Sequence, residues 1–230
     1  MNIVLLTGAG ISAESGIDTF RDPKGIWQRF DPMDLATPEG FARNPAQVHA
    51  FYNDRRANGR AARPNAAHLA LARLAREHPG RVTLITQNVD GLHERAGSPS
   101  VLHMHGTLEG ARCGACHHRY PAPLVMAPED PCPSCGTAAT RPDIVWFGEM
   151  PLHLDEISAA LEAADLFAVI GSSGTVWPAA GFVDMARDAG AHTVELNLEP
   201  SERYGAFEEH HPGPASRTVP DWVESLLRTR

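Results

Sequence analysis

No apolar run in these 230 residues approaches the roughly 20 that cross a bilayer. Met1 stands two residues before the first aliphatic run, so no cleavable leader or transit peptide is expected, and the cytoplasm is the expected compartment. A basic excess is missing too. Twenty Lys and Arg stand against 28 Asp and Glu, a net charge of −8, and the arginines of 55–63 and 73–81 are scattered. Nucleic-acid binding needs a basic face to displace counterions, so no nucleic-acid partner is expected. Cysteine is scarce, and all four residues fall in two CxxC pairs, which in an intracellular chain point to metal or redox chemistry rather than structural disulfides. Internal repeats are absent. With 43% hydrophobic and 21% charged residues, the chain reads as an ordinary globular domain large enough for a sizeable core, with room for a small second module.

A further absence concerns "GAGISAESGIDTFR", residues 8–21, which follows the apolar run "IVLL". Read as G-x-G-x-x-G it lacks the third glycine, since Ala13 stands there. No second strand ends in an Asp or Glu about 20 residues on to hold a ribose. The turn is either accidental or holds a dinucleotide for something other than hydride transfer.

Short β-branched and aliphatic runs recur at 3–7, 82–86, 101–105, 143–147, 166–171 and 192–198. Near-continuous apolar strands are expected where both faces of a parallel sheet are covered. Helical patterns lie between them. "PNAAHLALARLAREHPG" (64–80) is predicted to bury Leu69, Leu71 and Leu74, and "LDEISAALEAADL" and "AAGFVDMARDAG" are two more. Alternation of this kind implies an α/β fold with a doubly wound, Rossmann-like parallel sheet. Residues 32–62 form a helical insertion. Residues 109–142, rich in Cys, Pro, Gly and His, form an inserted module between 1–108 and 143–230.

Cys113-x-x-Cys116 and Cys132-x-x-Cys135 are separated by fifteen residues, a spacing that brings four thiolates onto one structural Zn²⁺, with Gly114 and Gly136 allowing the turns. The alternatives are a redox pair or chance. "TQNVDGLHERAG" (86–97) sets Gln87, Asn88 and Asp90 at a strand end, where ligands bind, or where an ordinary turn forms. "HMHG" puts His103 and His105 on one strand face, as metal ligands, as a base with its neighbour, or as satisfied structural histidines. "GSSGTVWP" (171–178) suits a phosphate nest or a plain turn.

Together these stretches, with "RPDIVWFGE" and "ELNLEPS", resemble the sirtuins, the NAD-dependent protein lysine deacylases, in order from residue 3 to about 222. The resemblance implies a large Rossmann-type domain, a small zinc module, and a cleft for NAD and an acylated lysine. It implies that the loop from Gly8 to Trp27 wraps the NAD through Gly8, Ala9, Gly10, Ser12, Ala13, Glu14, Ile17, Asp18, Thr19, Phe20, Arg21 and Trp27. Ala9 and Gly10 fall near the pyrophosphate, Phe20 and Arg21 near the reacting ribose. Gln87, Asn88, Val89 and Asp90 line the ribose and nicotinamide pocket. Gly171, Ser172 and Ser173 meet phosphate and ribose; Asn197, Leu198 and Glu199 hold the adenosine end, with Ala215 by the adenine. His105 matches the catalytic base. Val145, Phe147, Gly148 and Glu149 pair with the substrate peptide by strand addition.

The implied chemistry fits these residue types. Nicotinamide departs neutral, so the site needs to orient its carboxamide and shield the ribose rather than supply a strong acid. The acyl oxygen attacks C1′ and His105 takes a proton from a ribose hydroxyl. Tyr52 and Arg55, three apart on the helical insertion, match the Tyr-x-x-Arg pair with which succinyl- and malonyl-removing sirtuins bind the acyl carboxylate; without the resemblance they read as an amphipathic Tyr and a solvated Arg. Two departures stand out: Asp18 replaces the usual proline, and His103 an acidic residue. The former is expected to loosen the cofactor loop, the latter to shift the His105 pKa. An acyl-lysine substrate and a monomer are the expected assembly. The competing readings are an NAD glycohydrolase or ADP-ribosyltransferase, and a non-catalytic zinc-ribbon interaction module.

Overall fold

The computed structural model of the chain describes residues 1–19 and 31–228. Its strands are β1 (Ile3–Thr7), β2 (Val82–Thr86), β3 (Leu102–His103), β4 (Gly106–Cys113), β5 (Arg119–Pro121), β6 (Thr140–Ile144), β7 (Leu166–Ile170), β8 (His192–Asn197) and β9 (Glu209–Pro212). Six of them form a parallel sheet in the order β3-β2-β1-β7-β8-β9, and the other three an antiparallel sheet, β5-β4-β6.

Helices α1 (Pro32–Leu35), α2 (Pro38–Arg43) and α3 (Pro45–Ala61) fill the expected insertion, followed by α4 (Ala66–Glu77), α5 (Leu92–Arg95), α6 (Leu154–Glu162), α7 (Phe182–Asp188) and α8 (Ala215–Arg228). The dipeptides Asp31-Pro32, Thr37-Pro38 and Asn44-Pro45 each start a helix. The polar side chain accepts a backbone N–H of the first turn, and the proline fixes the first helical φ without wasting a donor.

Alternation along the strands divides the core. Val4, Leu6 and Ile85 pack with Ile157, Leu161, Phe182 and Val183 of α6 and α7; Ile3, Leu5, Leu84 and Val194 pack with Leu71, Leu74, Val219 and Trp222 of α4 and α8. Both sheet faces are therefore dry. A third cluster joins Leu35, Val48, Phe51 and Tyr52 to Leu108 and Ile144 of the small sheet and to Trp146 just beyond it.

Four expectations change. Leu69 is 53% exposed, and Ala67, His68 and Ala72 join Leu71 and Leu74 on the buried side of α4, so packing sets a face rotated from the leucine pattern. The 101–105 run keeps only two strand residues, because Gly106 turns at φ +79° where the Asp143 carbonyl leaves no room for a Cβ. The 143–147 run contributes Asp143 and Ile144 to β6, antiparallel to β4, rather than a strand of the parallel sheet. Beyond Ile144, Val145 gives its N–H to the His105 carbonyl, and Phe147 to that of Ala36. Finally, the polar stretch Glu209–Pro212 forms an edge strand unannounced by any apolar pattern.

Candidate active site

The chain leaves β1 toward β2 on one side and β7 toward β8 on the other, so a crevice opens at the carboxyl ends of these strands, where open parallel sheets hold ligands. Gly8 and Gly10 leave β1 there. A Cβ on Gly8 would lie 2.8 Å from the Gly171 oxygen, and one on Gly10 2.8 Å from the Gly171 Cα, while Gly171 itself sits at φ +63°. The two loops touch backbone to backbone, with Gly8 N–H bonded to the Ile170 carbonyl at 2.9 Å and Gly10 N–H to that of Gly171 at 2.8 Å. These glycines are fixed by the loops' mutual approach before any ligand is considered.

Gln87, Asn88 and Asp90 follow β2 into the same crevice. The Gln87 Oε1 accepts the Ser172 hydroxyl at 2.8 Å, and the Asn197 amide donates to the Ser172 carbonyl at 2.8 Å, so the ends of β2, β7 and β8 are linked. Asn88 spends both Nδ2 protons inside the protein, on the Gly8 carbonyl (3.1 Å) and Ser12 Oγ (3.2 Å). Ser12 donates to Asp90 Oδ2 at 3.1 Å, and Asp90 Oδ1 accepts the Leu92 N–H at 3.0 Å. Burial raises the Asp90 pKa, against those hydrogen bonds. Among the described residues Asn88 Oδ1 has no donor, whereas each Asp90 oxygen already accepts one and keeps only its second lone pair. Val89 accepts the Leu108 N–H through its carbonyl.

His105 and His103 are anchored alike and differ in the partner of their second nitrogen. His105 Nδ1 donates to the Gln87 carbonyl at 3.1 Å, which leaves Nε2 as the basic nitrogen, and burial lowers its pKa despite the carbonyl. His103 Nδ1 donates to the Asn88 carbonyl at 3.1 Å while Nε2 meets Glu94 Oε1 at 2.7 Å. Both of its nitrogens face acceptors, an arrangement that favours the doubly protonated ring. Burial alone lowers the His103 pKa, but Glu94, the Asn88 carbonyl and Asp90 outweigh it and raise it. A cavity of about 520 Å³ opens beside His103 and Glu94, lined also by Arg60, Arg95 and Glu109 and by none of the expected cofactor residues among the described residues.

Elsewhere in the loop after β1, Glu14 accepts Ser216 N–H (2.9 Å) and Oγ–H (2.6 Å), which ties Ala13 and its neighbours to the start of α8 at Ala215. Ile17, Asp18 and Thr19 continue this loop; Phe20, Arg21 and Trp27 lie outside the described residues. Ala9 sits in the 3-10 turn between the two glycines. Ser173 bonds Thr175 at 2.7 Å, and Leu198 and Glu199 are exposed beyond β8. On α3, Tyr52 is buried and Arg55 half-buried, its guanidinium 5.7 Å over the Phe51 ring. Glu149 accepts Arg112, Arg141 and the Trp146 N–H, so its carboxylate is engaged within the protein.

The four cysteine sulfurs lie within 4.8 Å of one another, with Cys113–Cys135 at 3.8 Å and Cys116–Cys132 at 3.7 Å. Zn–S bonds of about 2.3 Å in a tetrahedron put sulfurs about 3.8 Å apart, so the set fits a closed Zn²⁺ site. Ala115 and Ser134 each direct an N–H at the first sulfur of their knuckle. The left-handed position after each second cysteine is held by Gly136 (φ +72°) and, in the first knuckle, by His117 (φ +60°) rather than by Gly114.

Some positions escaped the sequence reading. His68 and His93 are fully buried beneath the crevice, His68 3.5 Å from Ser12 Oγ and His93 2.9 Å from Thr7 Oγ1. The signal for His68 was Asn65-x-x-His68, a capping box with histidine in the glutamate position. Glu94, one turn after Asp90, and Trp146, within an apolar run, gave none.

Fold and site together define an α/β enzyme of the Rossmann type with an inserted four-cysteine module. The chain belongs to the Sir2 family, whose profile matches residues 8–178. It is similar to a protein named NAD-dependent protein deacylase from Caulobacter vibrioides, 53% identical over 231 residues, 99% of this chain and 97% of that one. A protein of the same name from Escherichia coli is 54% identical over 229 residues, 98% and 82% of the two chains. Among solved structures, a Sir2 homologue bound to NAD has a TM-score of 0.89 at 39% identity, covering 98% of this chain and 90% of that one. A Sir2 variant with a deacetylated p53 peptide and 3′-O-acetyl-ADP-ribose has a TM-score of 0.81 at 30% identity, covering 98% and 92%.

Proposed function

We propose that this chain is an NAD-dependent protein lysine deacylase that removes acetyl groups and, through Tyr52 and Arg55, succinyl and malonyl groups. Its products are nicotinamide, O-acyl-ADP-ribose and free lysine. The observation that carries the reading is His105, neutral, with Nδ1 committed to Gln87 and Nε2 available as a base. NAD is consumed as a co-substrate and supplies an electrophilic ribose carbon and a neutral leaving group. Asn88 Oδ1 and Asp90 are acceptors matched to the two N–H bonds of a carboxamide, and they orient it. His105 Nε2 then takes the proton of a ribose hydroxyl.

Ala9, Gly10, Gly171, Ser172 and Ser173 hold the phosphates; Asn197, Leu198, Glu199 and Ala215 hold the adenosine end. Val145 and Phe147 use their N–H groups internally, which leaves their carbonyls, with Gly148, for an acyl-lysine peptide strand. The zinc module is residues 109–142, its four thiolates structural, since a closed site has no open position for chemistry. We place the enzyme in the cytoplasm as a monomer.

The test is incubation with NAD and matched acetyl- and succinyl-lysine peptides, with products followed by mass. His105→Ala is expected to abolish both reactions and Arg55→Met to collapse desuccinylation while deacetylation survives. Nicotinamide release without acyl peptide would instead favour a glycohydrolase.

A further inference from the structure

Tyr52 sits where the helical insertion meets the small sheet. Its hydroxyl has one hydrogen-bond partner among the described residues, the indole Nε1–H of Trp146 at 3.0 Å. An indole N–H only donates, so the phenol oxygen is the acceptor there and its own proton points elsewhere. Burial pushes the Tyr52 pKa up to about 12, so the phenol keeps that proton under working conditions. Trp146 is itself held: the Arg141 guanidinium lies 3.3 Å over its ring, Phe41 stands 5.2 Å away, and Glu149 accepts both Arg141 and the Trp146 backbone N–H. A cation over the π face draws density from the ring and strengthens the indole N–H as a donor.

We propose that Trp146 is a positioning residue for acyl-chain selection: by occupying the acceptor side of the Tyr52 hydroxyl, it leaves that group to act as a donor. An oriented O–H suits a carboxylate at the end of an acyl chain and offers nothing to a methyl group. Arg55 supplies charge, and the Trp146–Tyr52 pair supplies direction. The proposal rests on the reading that Tyr52 and Arg55 receive an acyl carboxylate.

Trp146→Phe keeps an aromatic face under Arg141 and removes the donor. The expected result is an about tenfold fall in the ratio of desuccinylation to deacetylation, as kcat/KM, carried mainly by the succinyl KM. Tyr52→Phe is expected to lower the ratio by a similar factor, and the double variant by no more than either single, because both remove the same oriented proton. An unchanged ratio in Trp146→Phe, or multiplied losses in the double variant, overturns the proposal.

Arg55→Met is run in parallel. An unchanged ratio there sinks the carboxylate reading and this proposal with it; a collapse in Arg55→Met beside an unaffected Trp146→Phe leaves the reading standing and removes Trp146 from it. Should Trp146→Phe not fold, exchange of the Trp146 indole proton decides the matter. That proton is expected to be protected from deuterium in the unmutated protein and to exchange about tenfold faster in Tyr52→Phe; equal rates overturn the proposal.

Discussion

At the scale of single residues, the two histidines of "HMHG" share a backbone anchor and differ in one neighbour. Glu94 faces His103, and among the described residues no carboxylate is bonded to His105. The histidines are therefore expected to titrate on opposite sides of the ordinary 6.5, His105 below and His103 above, when followed by imidazole NMR. Glu94→Gln is expected to bring the His103 value down, and an unmoved value would remove Glu94 as its cause. Activity that needs neutral His105 falls on acidification through a pKa below 6.5, so the acid limb of kcat/KM should lie there. Spacing singled out the cysteines and the resemblance His105, whereas the raised His103 pKa depends on Glu94, nine positions away and brought near by α5.

At the scale of elements, the CxxC knuckles were legible because their determinants lie within a few residues of one another. The buried face of α4 was not. Leucine spacing favoured Leu69, but α8 packs across a different side. Leu71→Ala is expected to cost about 2–5 kcal/mol in urea unfolding, and Leu69→Ala no more than about 0.5. A large loss from Leu69→Ala would contradict this face. The four-cysteine module predicts one zinc per chain by metal analysis, and Cys132→Ser should lower both zinc content and activity together. Retained zinc at full stoichiometry in that variant would rule out the four-thiolate site.

At the scale of the whole molecule, His68 and His93 sit in the seam between α4 and α5, their rings 5.0 Å apart. Burial, with the Arg95 charge, lowers the His68 pKa to about 4; burial, with the charges of His68 and His103, lowers that of His93 to about 3. Below about pH 6.5 the unfolded chain binds protons on both rings and the folded chain does not, so stability falls with pH from 6.5 toward 4 and 3. Each ring contributes roughly 1.4 kcal/mol per pH unit across its window. A urea midpoint independent of pH between 6.5 and 4 would refute this. The sequence alone determined the parallel α/β plan, the helical insertion and the cysteine quartet, because period and motif spacing are local properties of the chain, while His105 was reached only through the resemblance of the whole motif series. Only the tertiary structure decided that the Gly8 and Gly10 loop abuts Gly171, that Glu94 faces His103, and that Trp146 reaches Tyr52. Those outcomes depend on which side chains from distant segments meet in a low-dielectric interior, and no local pattern encodes the meeting.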